Sequence, residues 1–103
     1  MNDSNIPIIK NVVHHFLPGS RILLFGSRAR GTNREDSDYD ILVLIDQELS
    51  PREKMPFRTA IRRKLIESDI LSEIIVQTET ETKIKRTLPG HIIKTAMQEG
   101  IWL

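Results

Sequence analysis

Leu23-Leu24-Phe25-Gly26-Ser27-Arg28-Ala29-Arg30-Gly31, followed after a polar stretch by Ser37-Asp38-Tyr39-Asp40-Ile41-Leu42-Val43-Leu44-Ile45, decides how this chain is read. The apolar run ending at Phe25 predicts a strand, and Gly26-Ser27 a turn into a short helix that Gly31 closes. Ile41 to Ile45 predicts a second strand, continuously apolar and so suited to a sheet covered on both faces. Asp38 and Asp40 stand at i and i+2 where that strand begins, and side chains two apart on a strand leave the same face. Two bare carboxylates held so close repel, which raises one pKa or parts the pair; a divalent cation removes the conflict.

Upstream, a strand giving way to a helix leaves its first N–H groups unpaired at the positive end of the helix dipole, a setting that suits phosphate. Gly26 lets the backbone approach closely and the Ser27 hydroxyl adds a donor. Phosphate cradle and metal grip on adjacent strands describe a site for a magnesium-bound nucleoside triphosphate. Arg28 and Arg30 lie beside the cradle, available to neutralise triphosphate charge or to pair with Glu35 and Asp36. Gly26 and Gly31 also have the spacing of a nucleoside-triphosphatase phosphate loop. That motif fails at the next positions, where Thr32 replaces the required lysine and Asn33 the magnesium-binding Ser or Thr.

Gly26-Ser27, ten residues, then Asp38-x-Asp40 resembles the signature of the DNA polymerase β-like nucleotidyltransferase superfamily. The string Gly26-Ser27-Arg28-Ala29-Arg30-Gly31 and the ending Ile92 to Ile101 are similar to its minimal, stand-alone branch, so the resemblance covers nearly the whole chain. It implies an α/β (α+β) fold, a mixed β-sheet with flanking helices. It also implies a third acidic residue on a neighbouring strand, a position that Glu73 matches by context while departing from the usual Asp. Asp38, Asp40 and Glu73 are then the catalytic and metal-binding set for two Mg2+ ions. Gly26 and Ser27, with Arg28 and Arg30, are the nucleotide-binding set. The reaction implied is transfer of a nucleoside monophosphate, AMP if the substrate is ATP, to a hydroxyl. The minimal branch accompanies HEPN-domain toxins, so the implied acceptor is a tyrosine on such a partner. A contrasting expectation is an antitoxin-like binding module with a weak or idle site, kept open by the Glu at position 73.

With 103 residues, one domain over 1–103 is expected, with no room for a second lobe; a partner or a second copy must supply any further wall around a bound nucleotide. The chain has no cysteine, which excludes disulfides and thiolate chemistry and fits a reducing cytoplasm. No apolar run reaches the roughly 20 residues of a membrane span, and Met1 to Asn5 lacks the order of a signal peptide. Fifteen basic residues against 14 acidic ones give a net charge of +1, which disfavours nucleic acid as the main partner.

Elsewhere the pattern is ordinary. Caps among Asn2 to Asn5 and apolar Ile9, Val12, Val13 and Phe16 predict a helix over residues 5–16, with Arg21 to Phe25 the first strand. His14 and His15, about 100° apart on that helix, are read as solvated or partly packed. Tyr39 alternates away from the aspartates and is read as packing on the opposite face. Pro51 opens a helix to about Ser68, whose Arg58, Arg62 and Arg63 read as a solvated face. Asp69 to Gln77 reads as the third strand, in which Glu73 calls for a metal or a basic partner if buried. A Thr-rich link with a helical turn or two leads to a last helix over His91 to Glu99. Ile101-Trp102-Leu103 then adds an edge strand or docks as a tail, with Trp102 expected to pack on the sheet.

Overall fold

The computed structural model describes residues 3–103. Its order is α1 (Asn5–Phe16), β1 (Arg21–Phe25), α2 (Gly26–Arg30), β2 (Tyr39–Ile45), α3 (Pro51–Ile66), β3 (Ser72–Thr78), α4 (Glu79–Lys85), α5 (Ile92–Glu99) and β4 (Ile101–Trp102). The four strands form one mixed sheet in the order β3-β2-β1-β4, with β2 parallel to β3 and β1 antiparallel to both β2 and β4. The α/β class and the mixed sheet expected from the sequence are what the structure shows.

Strand alternation divides the apolar residues between two faces. Ile22, Leu24, Tyr39, Ile41, Val43, Ile45, Ile74 and Val76 pack with Ile9 and Val13 of α1 and Ile61 and Leu65 of α3. Leu23, Phe25, Leu42 and Leu44 pack on the other face with Ile93 and Ala96 of α5. Ile41 to Ile45 is at most 3% exposed, which is why its sequence is apolar without interruption. Asp40 alternates with Leu42 and Leu44, and Glu73 with Ile75, so both acids belong to the α5 face. Tyr39 lies beneath, in the α1/α3 core.

Local chemistry sets the ends of the elements. Ser50 caps α3 in a reciprocal box with Glu53, and Pro51 stands at its start. Thr78 and Glu81 form the same box on α4, turning the chain sharply at the end of β3. At α1 no side chain caps the first turn from Ser4; Asp3 instead accepts from the Asn5 N–H at 2.9 Å, and the candidate cap Asn2 lies outside the described residues. Along β3, two carbonyls are taken by side chains: Arg58 Nε donates to Ile74 at 3.1 Å and Gln77 Nε2 to Val76 at 3.0 Å.

Two expectations need correction. The third strand starts at Ser72 rather than Asp69, because Asp69 occupies a left-handed turn (φ 59°) after α3 and Ile70 N–H closes back on Leu65 at 3.0 Å. Trp102 is 45% exposed rather than core, since β4 is a two-residue edge strand; the Arg21 guanidinium lies 4.5 Å from its ring centre.

Candidate functional site

Asp40 is the centre of the acidic site. In the register it faces Phe25 on β1 and Glu73 on β3, so the end of the phosphate-turn strand, the aspartate and the third acid stand abreast on three neighbouring strands. Gly26, at φ +74°, follows Phe25 directly. A Cβ there would collide with Asp40 Oδ2, so glycine is needed twice, for the left-handed backbone and for the carboxylate that lies against it. The turn expected to hold polyphosphate and the acid expected to hold metal are in contact.

The charge–charge electrostatics at Asp40 are dominated by repulsion. Burial raises the pKa of Asp40 above its ordinary value, and the charges of Asp38 and Glu73 push it further in the same direction. Glu99 adds to the push, while Arg30 acts against it. Four carboxylates thus share one corner with one arginine acting on Asp40 among them. Asp38 and Glu73 are exposed and Asp40 is half-buried, so Glu73 needs no internal partner of the kind a buried strand carboxylate would. Among the described residues no three His, Asp or Glu side chains converge tightly enough to enclose an ion. The donor set and its mutual repulsion nonetheless fit a divalent cation: hard oxygens, open to solvent, and destabilised without a counter-charge.

The arginines take separate paths. Arg30 Nη1 donates to Glu99 Oε1 at 2.8 Å, joining α2 to the end of α5 beside Asp40. Arg28 turns instead to the loop before β2, where it donates to the main-chain carbonyls of Glu35 and Ser37 and lies over the Tyr39 ring. Neither pairs with the carboxylates of Glu35 or Asp36 weighed from sequence. Tyr39 is buried on the far face as expected, its hydroxyl donating to Asp3 and accepting from Asn5. His14 and His15 take separate contacts: His14 Nε2 meets the Ser20 carbonyl at 3.0 Å and His15 packs edge-on against Phe16.

Glu99 was missed in the sequence, where it read as the end of the last helix. Its signal exists only in the fold, which lays α5 on the face that carries Asp40. Beside Asp38, a cleft of about 70 Å³ is lined by Arg62, Ile66, Leu71 and Ser72, and the buried Ser72 Oγ has no partner among the described residues. A larger cavity of about 340 Å³ opens between α3, β3 and α4, away from these acids. Its cations are held by internal acceptors: Lys54 Nζ meets both Glu81 oxygens at 2.6 and 2.8 Å, Lys85 Nζ meets the Gln77 amide oxygen at 2.8 Å, and Arg58 Nε the Ile74 carbonyl at 3.1 Å. We read it as a structural joint between α3 and α4.

Comparison with known proteins agrees with this fold. A family model described as "Nucleotidyltransferase domain" matches residues 6–103. The chain is 37% identical over 60 residues to the "Putative protein adenylyltransferase" of Methanocaldococcus jannaschii, a match spanning 58% of this chain and 61% of that protein's length. A crystal structure of a toxin–antitoxin with AMP-PNP superposes with a TM-score of 0.66 at 24% identity, covering 97% of this chain and 72% of the other. A mutant of the toxin–antitoxin MntA-HpeT gives 0.65 at 20% identity, covering 93% and 69%. At these identities the structural likeness establishes the shared fold.

Proposed function

Because the chain belongs to the nucleotidyltransferase domain family, we propose that it transfers the nucleoside monophosphate of a nucleoside triphosphate to a hydroxyl on a partner protein. The observation that supports this reading is the close approach of Gly26 and Asp40, which brings the glycine turn and a repelling acid cluster together. Asp38 and Asp40, with Glu73, would hold Mg2+, which when bound offsets phosphate charge and makes the α-phosphorus more electrophilic. Gly26 and Ser27 orient the β- and γ-phosphates through backbone N–H groups and the Ser27 hydroxyl. Arg30, tethered by Glu99, supplies positive charge at the rim.

In the reaction the acceptor oxygen attacks the α-phosphorus in line. A new O–P bond forms as the bond to the β-phosphate bridge breaks, and pyrophosphate leaves with the electron pair. The acceptor proton passes to a carboxylate, for which Glu73 is placed in our assignment. ATP is supported as donor by the adenylyltransferase name of the archaeal relative, and a protein acceptor by the same name. The toxin–antitoxin neighbours support a partner toxin, and the resemblance to the minimal branch makes that a HEPN-domain protein.

The test is to incubate the protein with Mg2+ and α-labelled ATP, with and without the protein encoded beside it. Label on the partner that disappears with Asp38→Asn is the expected result. A partner bound tightly but never labelled would replace transfer with inhibition by covering, the idle-site alternative that Glu73 keeps open.

A further inference from the structure

Asp38 has no regular structure of its own, since β2 begins only at Tyr39. It lies at the exit of a loop, yet a ligand must stand still. The restraints on it come from both sides. Behind it, residues 34–37 close a small turn, with Ser37 N–H donating to the Arg34 carbonyl at 3.1 Å and Arg34 N–H to Ser37 Oγ at 2.9 Å. The way out of that turn is gripped by Arg28: Nε and Nη2 reach the Ser37 carbonyl at 3.0 and 2.8 Å, and Nη2 reaches the Glu35 carbonyl at 2.9 Å. Ahead of it, Tyr39 N–H donates to Leu71 at 2.9 Å. The Tyr39 ring lies 4.1 Å from the centre of the same guanidinium, and its hydroxyl is moored to Asp3 and Asn5 at the start of α1.

Arg28 therefore holds both residues that flank Asp38, one through main-chain carbonyls and the other through its ring. We propose that Arg28 is a positioning residue, setting where the Asp38 carboxylate stands instead of meeting the triphosphate itself. A planar fork suits this: two nitrogens converge on one carbonyl while the guanidinium carbon lies over an aromatic ring. A lysine ammonium offers charge without that shape. The inference rests on the reading of Asp38 as a metal-holding acid.

The experiment compares Arg28→Lys, Arg28→Gln and Asp38→Asn with the wild type. It measures Mn2+ binding by electron paramagnetic resonance, amide exchange of residues 34–38, and kcat and KM for α-labelled ATP from the label transferred to the partner. A positioning role predicts that Lys and Gln variants behave alike. Mn2+ affinity falls about 10–100-fold, as when the groups orienting a metal ligand are lost; exchange of the loop quickens, and kcat drops while KM for ATP moves little. Should Arg28→Lys keep Mn2+ affinity and kcat near wild type while Arg28→Gln raises KM, the side chain is a phosphate contact and the proposal is overturned. If Asp38→Asn leaves Mn2+ binding intact, the metal reading beneath falls, and this inference with it.

Discussion

The two ends of the β2/β3 ladder carry similar acids in opposite conditions. At the end where Tyr39 faces Ser72, Asp40 and Glu73 stand side by side with Asp38 near, and burial and repulsion raise the pKa of Asp40. At the end where Ile45 faces Thr78, Glu81 lies in the first turn of α4 and meets buried Lys54. There burial pushes upward too, but the Lys54 hydrogen bonds and the Thr78 N–H overcome it and draw Glu81 down to about 2. One end has its counter-charge built in and acts as scaffold. At the other, Arg30 only partly offsets the mutual repulsion of the acids, a condition that the proposed metal would relieve.

Removing the fit between Gly26 and Asp40 is the largest way to break this contrast. Gly26→Ala forces an L-residue into left-handed backbone and a methyl into the carboxylate, together costing about 3 kcal/mol. The melting temperature should fall while Mn2+ binding disappears. Retained Mn2+ affinity would mean that Asp40 has no part in holding the ion.

Next comes the paired end. Glu81→Gln strands Lys54, only 6% exposed, and should cost about 2 kcal/mol, under the roughly 3–5 kcal/mol of a fully enclosed pair. Denaturant unfolding measures it. Since the folded pKa of Glu81 is lowered from 4.5, its contribution is full above that value and is lost as pH falls toward about 2. Wild type and variant should converge in stability across that window.

The smallest effect has the opposite sign. The raised pKa of Asp40 means the folded protein binds that proton more tightly than the unfolded chain does. Its contribution is best below the ordinary value of 3.8 and declines as pH rises through the raised one. In chelator at neutral pH, Asp40→Asn should therefore melt slightly higher than wild type, and the gain should vanish in acid. A loss of stability at neutral pH would mean that the acid is satisfied internally and the contrast is false.

Much of this architecture was legible because it depends on neighbours in sequence. The α1 and β1 boundaries follow from apolar spacing and from Pro18-Gly19, and the Asp38/Asp40 pair from strand alternation. What escaped depends on chain brought from far away. Arg30 finds Glu99 69 residues on, Lys54 finds Glu81, and Arg58 finds a β3 carbonyl; no local pattern encodes such meetings. The direction of Arg28 escaped for a related reason: its targets are backbone carbonyls, which every residue owns and no sequence advertises. Trp102 was misjudged because an aromatic at a chain end looks alike whether a helix covers it or nothing does.

The side chains that occupy the Ile74 and Val76 carbonyls bear on traffic at this site. With Arg58 and Gln77 already there, a foreign strand adding along β3 would have to compete with them on the flank that bears Glu73. In the proposed reaction, a protein acceptor would arrive by another road, across the α5 face or over the strand tips. It would then be recognised by its shape and its side chains, with little help from main-chain pairing.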